Sequence, residues 1–102
     1  MSEYVKVCEV SEVLPGTMRS VDAGQSRLMI VNVDGQLYAT DRICTHEEAD
    51  LSAGFLIGSV VTCPLHLSRF DVTSGAVQNA PATASLKTYS LKIEGTSVYV
   101  EL

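Results

Sequence analysis

"CTHEEADLSAGFLIGSVVTCPLH", residues 44–66, contains two of the chain's three cysteines and both of its histidines. They fall as Cys44-Thr45-His46 and, after a gap of 16 residues, as Cys63-Pro64-Leu65-His66. Each spacing lets one tight loop present a thiolate and an imidazole side by side. Two such loops facing each other make a Cys₂His₂ ligand set.

The rest of the chain narrows what that set is for. At 102 residues it is long enough for one modest core and no second catalytic domain. A hydrophobic content of 46% with 19% charged residues is ordinary globular composition. The net charge is −5, and the seven basic residues are scattered singly, which argues against nucleic acid or anionic lipid as partners. The opening "MSEYVKVCEV" lacks the basic and apolar regions of a signal peptide, and "FLIGSVV" falls far short of the roughly 18 apolar residues a membrane span needs. The chain therefore reads as cytoplasmic, where a Cys/His cluster is more often a metal or catalytic site than a disulfide framework. Two metal centres stay open on the residues alone. One is a tetrahedral zinc site; the other is a 2Fe-2S cluster in which one iron takes both cysteines and the other both histidines.

Outside the ligand segment, short β-rich runs alternate with turn signals: "YVKVCEV", "RLMIVNV", "QLYATD", "GSVVTC", "RFDV", "LKTYSLKIE" and "SVYVEL". A single helical turn is expected near Ser11 to Leu14. Asp34-Gly35 predicts one two-residue hairpin, and Glu94-Gly95-Thr96-Ser97 closes a second. Leu91 and Ile93 alternate with Lys92 and Glu94, as Val98 and Val100 do with Tyr99 and Glu101, predicting one buried and one solvated face. The expectation is an all-β fold, an antiparallel sandwich or barrel-like base, in a single domain spanning 1–102. Residues from about 43 to 80 form a β insertion that carries the ligand loops.

The "CTH" and "CPLH" pair, its gap, Pro64, the following "SRFDVTSGAV" and Pro81 closely resemble Rieske-type ferredoxins, above all the electron-carrier components of bacterial aromatic-ring-hydroxylating dioxygenases. The resemblance covers essentially the whole chain. It implies the Rieske fold and one 2Fe-2S cluster, with Cys44 and Cys63 on the inner iron, His46 and His66 on the outer, and Pro81 on a third loop covering it. Two ferric irons, two sulfides and two thiolates sum to zero charge, so such a site accepts an electron more readily than a four-thiolate cluster. The difference is about −150 to +300 mV for Rieske centres against about −400 mV for plant-type ferredoxins.

Quinol-oxidising Rieske proteins carry an extra cysteine in each ligand loop; Ala49 and Leu65 stand there in this chain. Those proteins also place a serine and a tyrosine after the second histidine to raise the potential, whereas this chain has Ser68 but Phe70. Without that hydroxyl, and with Glu47 and Glu48 beside His46, the low end of the range is expected; Ser68 departs from the glycine of low-potential members. Both histidines are already assigned, so a mononuclear oxygenase iron has no ligands, and no nucleotide-binding glycine motif marks a reductase. The resemblance thus implies a non-enzymatic, monomeric shuttle. It takes electrons from a flavin (FAD) and NAD(P)H-dependent ferredoxin reductase and delivers them to a Rieske terminal oxygenase. The same cluster serving a diiron monooxygenase or a nitrite reductase is the alternative, and a structural zinc module the rival from another class.

The remaining residues have plainer readings. Cys8 is expected to be a small buried hydrophobe. Glu47, Glu48 and Asp50 make an acidic loop, either solvated or docking a basic partner. Asp41 and Arg42 precede the first ligand loop and Arg69 and Asp71 follow the second, either as a salt bridge locking the loops or as unpartnered surface charge. Leu65 and Leu67 flank His66 as an apolar collar or as ordinary loop packing.

Overall fold

A computed structural model of the chain describes residues 3–45, 49–65, 68–78 and 84–102. Among them lie ten strands: β1 (Tyr4–Glu9), β2 (Met18–Ala23), β3 (Ser26–Val33), β4 (Gln36–Asp41), β5 (Phe55–Ile57), β6 (Val60–Thr62), β7 (Arg69–Asp71), β8 (Thr88–Tyr89), β9 (Leu91–Glu94) and β10 (Ser97–Glu101). They form three sheets, ordered β1-β10-β9, β2-β3-β4-β8 and β5-β6-β7, and every pairing is antiparallel. The all-β expectation holds.

β3 organises the layers. Its residues Leu28 to Asn32 are all buried, so "LMIVN" does not alternate in polarity, which is the pattern of a strand covered on both faces. Leu28 and Ile30 join Cys8, Val13, Val21, Ala23, Leu37, Ala39, Val98 and Val100 in one core, between the β1-β10-β9 sheet and its own. Met29 and Val31 point the other way, into a second core with Cys44, Ala49, Leu51, Val61, Cys63, Phe70, Val72 and Leu86. The second core is the one that holds the two motif cysteines.

Both expected hairpins form. Asp34 (φ 50°) and Gly35 (φ 93°) close β3 to β4, the pair of positive φ values that suits the twist of a two-residue hairpin. The expected helical turn is a 3₁₀ turn, Val10–Glu12, tied by a hydrogen bond from the Glu9 N–H to Glu12 Oε1 of 2.8 Å.

Several expectations are corrected. β2 and β5 are strands that the sequence does not announce: "MRSVDA" alternates irregularly in polarity, and "FLI" is only three residues, all apolar and with both ends exposed. "LKTYSLKIE" is not one strand: at Ser90 the chain leaves β4, which pairs with β8, and joins β10 as β9. Ile93 is 48% exposed where the alternation places it inside. β9 is the outer strand of its sheet, so the core it covers ends before Ile93, whereas central Val98 and Val100 are fully buried.

Asn32 is the buried polar residue of β3, next to its end. Its Nδ2 donates to Val13 O (2.8 Å) and its Oδ1 accepts from Gly35 N–H (2.7 Å), so one amide fastens both the segment after the 3₁₀ turn and the β3–β4 hairpin. Asn32→Leu leaves a carbonyl and an N–H without these partners and is expected to cost about 2 kcal/mol, read as a lower urea midpoint.

Candidate metal centre

The two motif cysteines open two loops of the same construction. Ile43 and Asp50 form a β-bridge, and within it the Cys44 N–H donates to Ala49 O (2.9 Å). Thr62 and Arg69 pair at the end of the β6–β7 ladder, and within it the Cys63 N–H donates to Ser68 O (2.8 Å). Each loop therefore begins with a cysteine and closes with a small buried residue, Ala49 or Ser68. In sequence, His46 and His66 fall between these fixed ends.

Cys44 and Cys63 are 5% and 1% exposed, share one contiguous core and are joined by no disulfide. A thiolate in such apolar surroundings is unfavourable unless a cation compensates it. Paired soft donors at the mouths of twin loops therefore suit a metal centre, and the donor set fits both an iron–sulfur cluster and zinc. His46 and His66 lie outside the described residues, as do Glu47, Glu48, Leu67 and Pro81, so the expectations placed on them have no structural counterpart.

Other elements fasten the loops. Asp50 caps a 3₁₀ turn, Leu51–Ala53, by accepting from Ser52 N–H (2.9 Å), and Leu51 is fully buried in the second core. The Thr45 hydroxyl, between Cys44 and His46, donates to Ala84 O at 2.7 Å. Two residues on, the Leu86 N–H donates to Gly75 O (2.8 Å), and Gln78 N–H donates to Arg69 O (2.7 Å) on the other side of the segment. The described residues Gln78, Ala84 and Leu86 are thus fastened to Arg69, Thr45 and Gly75, and the expected cover loop around Pro81 lies outside the described residues.

Phe70, where quinol-oxidising relatives of the motif have tyrosine, is fully buried in the same core as both cysteines and carries no hydroxyl to offer. Leu65 is 59% exposed; the rest of the expected collar, Leu67 around His66, lies outside the described residues.

The candidate salt bridges resolve differently from their sequence order. Arg42 pairs with Asp22 and Asp50, not with its neighbour Asp41. Asp41 accepts instead from the Tyr89 hydroxyl at 2.5 Å. Partial burial first, and that carboxylate second, push the Tyr89 phenol up to about 12, so it keeps its proton as a donor. The Asp71 carboxylate accepts from Thr73 N–H (2.9 Å) and its hydroxyl (2.6 Å), bonds that hold its pKa down and shape the turn after β7. Cys8 belongs to the other core. Burial, with Glu12 next, raises its thiol pKa and keeps it a neutral hydrophobe.

The sequence gives no sign of the contacts made by Thr45 and Asn32, and of Gly54 shows only a loop glycine. Hydroxyl and amide contacts between distant segments leave no periodic trace. A glycine after "LSA" reads only as loop punctuation.

Among the described residues no helix is long and apolar enough to cross a membrane. Residues 3–90 match the family described as the Rieske [2Fe-2S] domain. The ferredoxin component of the naphthalene 1,2-dioxygenase system of Pseudomonas putida is 39% identical over 100 residues, covering 98% of this chain and 96% of that one. The ferredoxin of Sphingomonas yanoikuyae B1 superposes with a TM-score of 0.93 at 33% identity, covering 98% and 99% of the two chains. A chain in the complex of reduced oxygenase and oxidized ferredoxin in carbazole 1,9a-dioxygenase does so with a TM-score of 0.90 at 39% identity, covering 95% and 91%.

Proposed function

The chain belongs to the Rieske [2Fe-2S] domain family, and from that premise we propose that it is the ferredoxin of an aromatic-ring dioxygenase system, an electron carrier and not itself an enzyme. The observation that carries this reading is the pair of buried cysteines, each opening a six-residue loop closed by the same backbone hydrogen bond, on a chain that matches dioxygenase ferredoxins nearly end to end. Cys44 and Cys63 are the inner ligands, His46 and His66 the outer ones, and residues from about 43 to 80 the cluster-binding part of a single domain. When bound, the cluster accepts and passes on one electron at a time.

The chain's own residues do the rest. Leu51, Val61, Phe70 and Leu86 line the core around both cysteines and exclude water from the thiolates. Phe70 brings no hydrogen bond, so the potential belongs at the low end of the Rieske range. Leu65, exposed beside His66, gives an apolar contact on the face through which electrons leave. We read the client as a Rieske terminal oxygenase, supported by the likeness to the carbazole dioxygenase complex, and the donor as a flavin and NAD(P)H-dependent ferredoxin reductase. The carrier acts as a monomer in the cytoplasm, because a shuttle that alternates partners is served by small, transient interfaces.

Visible and electron paramagnetic resonance spectra of anaerobically purified protein, before and after dithionite, test this, with iron and acid-labile sulfide measured on the same sample. A reduced Rieske-type signal with equimolar iron and sulfide is expected. A colourless protein with one zinc per chain and no sulfide overturns it.

Thr45 carries a further expected result. Thr45→Val removes the tie to Ala84 O at almost constant volume, and should speed bleaching of the visible absorption in air about tenfold. Thr45→Ser should restore the parent rate.

A further inference from the structure

The two ligand loops are built alike but rooted differently. The Cys63 loop grows from a three-stranded ladder, in which Val60 pairs with Asp71, Val61 with Phe70 and Thr62 with Arg69, with β5 alongside. The Cys44 loop grows from an isolated bridge, Ile43 with Asp50, extended by one hydrogen bond from the Leu51 N–H to Arg42 O (2.7 Å). Thr45 ties the loop to Ala84 O, but with so little backbone pairing its root needs a side-chain attachment of its own.

Arg42 supplies it. Its side chain is only 11% exposed and reaches three segments. Nη2 meets Asp22 Oδ1 at 3.0 Å, at the end of β2. Nη1 lies 3.4 Å from both Val21 O and Leu28 O, on β2 and β3. Nε lies 3.3 Å from Asp50 Oδ2, just beyond the loop's closing residue. That last contact is an ion pair without hydrogen-bond geometry, and Nε has no other partner among the described residues. The main chain joins in, since the Arg42 N–H donates to Arg27 O (3.0 Å). Only a planar fork reaches two carboxylates and two carbonyls on different strands at once; a lysine ammonium is a single point. Burying a guanidinium so deeply is costly unless its partners compensate it, and the partners here belong to the hairpin on one side and to the ligand loop on the other.

We propose that Arg42 is the positioning residue of the Cys44 loop: its guanidinium clamps Asp50 to the β2–β3 hairpin and so holds the Cys44 thiolate in place opposite Cys63. Its effect on the cluster rests on the proposed function; its effect on the loop does not.

The test compares the parent, Arg42→Met, Arg42→Lys and Asp50→Asn, with Val98→Ala as a control that lowers stability from the core remote from the cysteines. Asp50→Asn keeps an acceptor for Ser52 and removes the charge facing Arg42, so it still decides the matter if Arg42→Met fails to fold. Two readouts are taken on anaerobically purified protein: the half-life of the visible absorption in air, and amide hydrogen exchange at Cys44, Leu51 and Cys63. Arg42→Met and Asp50→Asn are expected to shorten the half-life and speed exchange at Cys44 and Leu51, each roughly tenfold. Cys63 exchange should stay within about twofold, Arg42→Lys should fall between, and Val98→Ala should leave the half-life at the parent value. Equal acceleration at Cys44 and Cys63, or a half-life that falls as far in Val98→Ala as in Arg42→Met, reduces Arg42 to general stability and overturns the clamp. So does a parent-like result in both Arg42→Met and Asp50→Asn. A parent that purifies without iron and sulfide sinks the function reading alone, and the exchange rates then decide the clamp.

Discussion

Cys63→Ala is expected to purify colourless, with less than about a tenth of the parent's iron and acid-labile sulfide, while Cys8→Ala keeps the parent's spectrum. Both side chains are buried, 1% and 5% exposed, so burial alone predicts similar costs for the two. What separates them is place. Cys63 opens the loop closed by its own N–H to Ser68 O and shares a core with Cys44. Cys8 faces the core between the β1-β10-β9 and β2-β3-β4-β8 sheets, where its thiol stays protonated. Alanine is the better probe, because a serine hydroxyl at either position would add the penalty of a buried, poorly partnered polar group, about 1–3 kcal/mol. Iron and sulfide assays with circular dichroism on both variants decide the case. A folded Cys63→Ala that keeps its iron, or a Cys8→Ala that loses it, overturns the ligand assignment.

How much of this was legible in the sequence depends on whether the determinant is local. Cys44-Thr45-His46 and Cys63-Pro64-Leu65-His66 carry their chemistry in short spacings, so the candidate site could be read before any strand was placed. The Asp34-Gly35 hairpin is equally local, its turn fixed by two adjacent residues. The alternation in "SVYVE" was legible because β10 is central in its sheet and its inward residues are all covered. "LKIE" shows the same alternation and misleads, because an outer strand covers less, and nothing in four residues says which strand lies outside. "LMIVN" does not alternate because two cores need β3, a fact of the whole fold. Arg42 is the sharpest case. Asp41 is the last residue of β4 and Arg42 lies just beyond it, so the guanidinium finds Asp22 on β2 and Asp50 across the loop while Asp41 accepts from Tyr89, and none of these distant partners is marked in the sequence around Arg42.

Gly54→Ala should be among the most damaging single-methyl additions open to this chain. Gly54 ends the 3₁₀ turn after the first ligand loop and leads into β5. Its φ of −86° is open to any residue, so what the position demands is space. A Cβ there would stand 2.0 Å from the carbonyl oxygen of Thr62 and 3.2 Å from that of Leu51. Both obstacles are backbone, so neither can swing aside as a side-chain tip would. Relief must come from moving β5 away from β6 or from rotating the Thr62 peptide, whose next residue is Cys63. The first costs packing around Leu56 and Val61; the second displaces a ligand. About 3 kcal/mol of stability should be lost, with cluster loss in air about tenfold faster. Gly58→Ala, in the turn of the same hairpin, is the control. Its φ of +59° makes alanine strained, but nothing lies within 4 Å of the added methyl, so it should cost about 1 kcal/mol and leave the half-life unchanged. If the two variants lose stability and cluster alike, the close approach of Gly54 to Thr62 is not what seats Cys63. If Gly54→Ala alone bleaches, the second ligand loop is held in place partly by a residue that contributes nothing but the absence of a side chain.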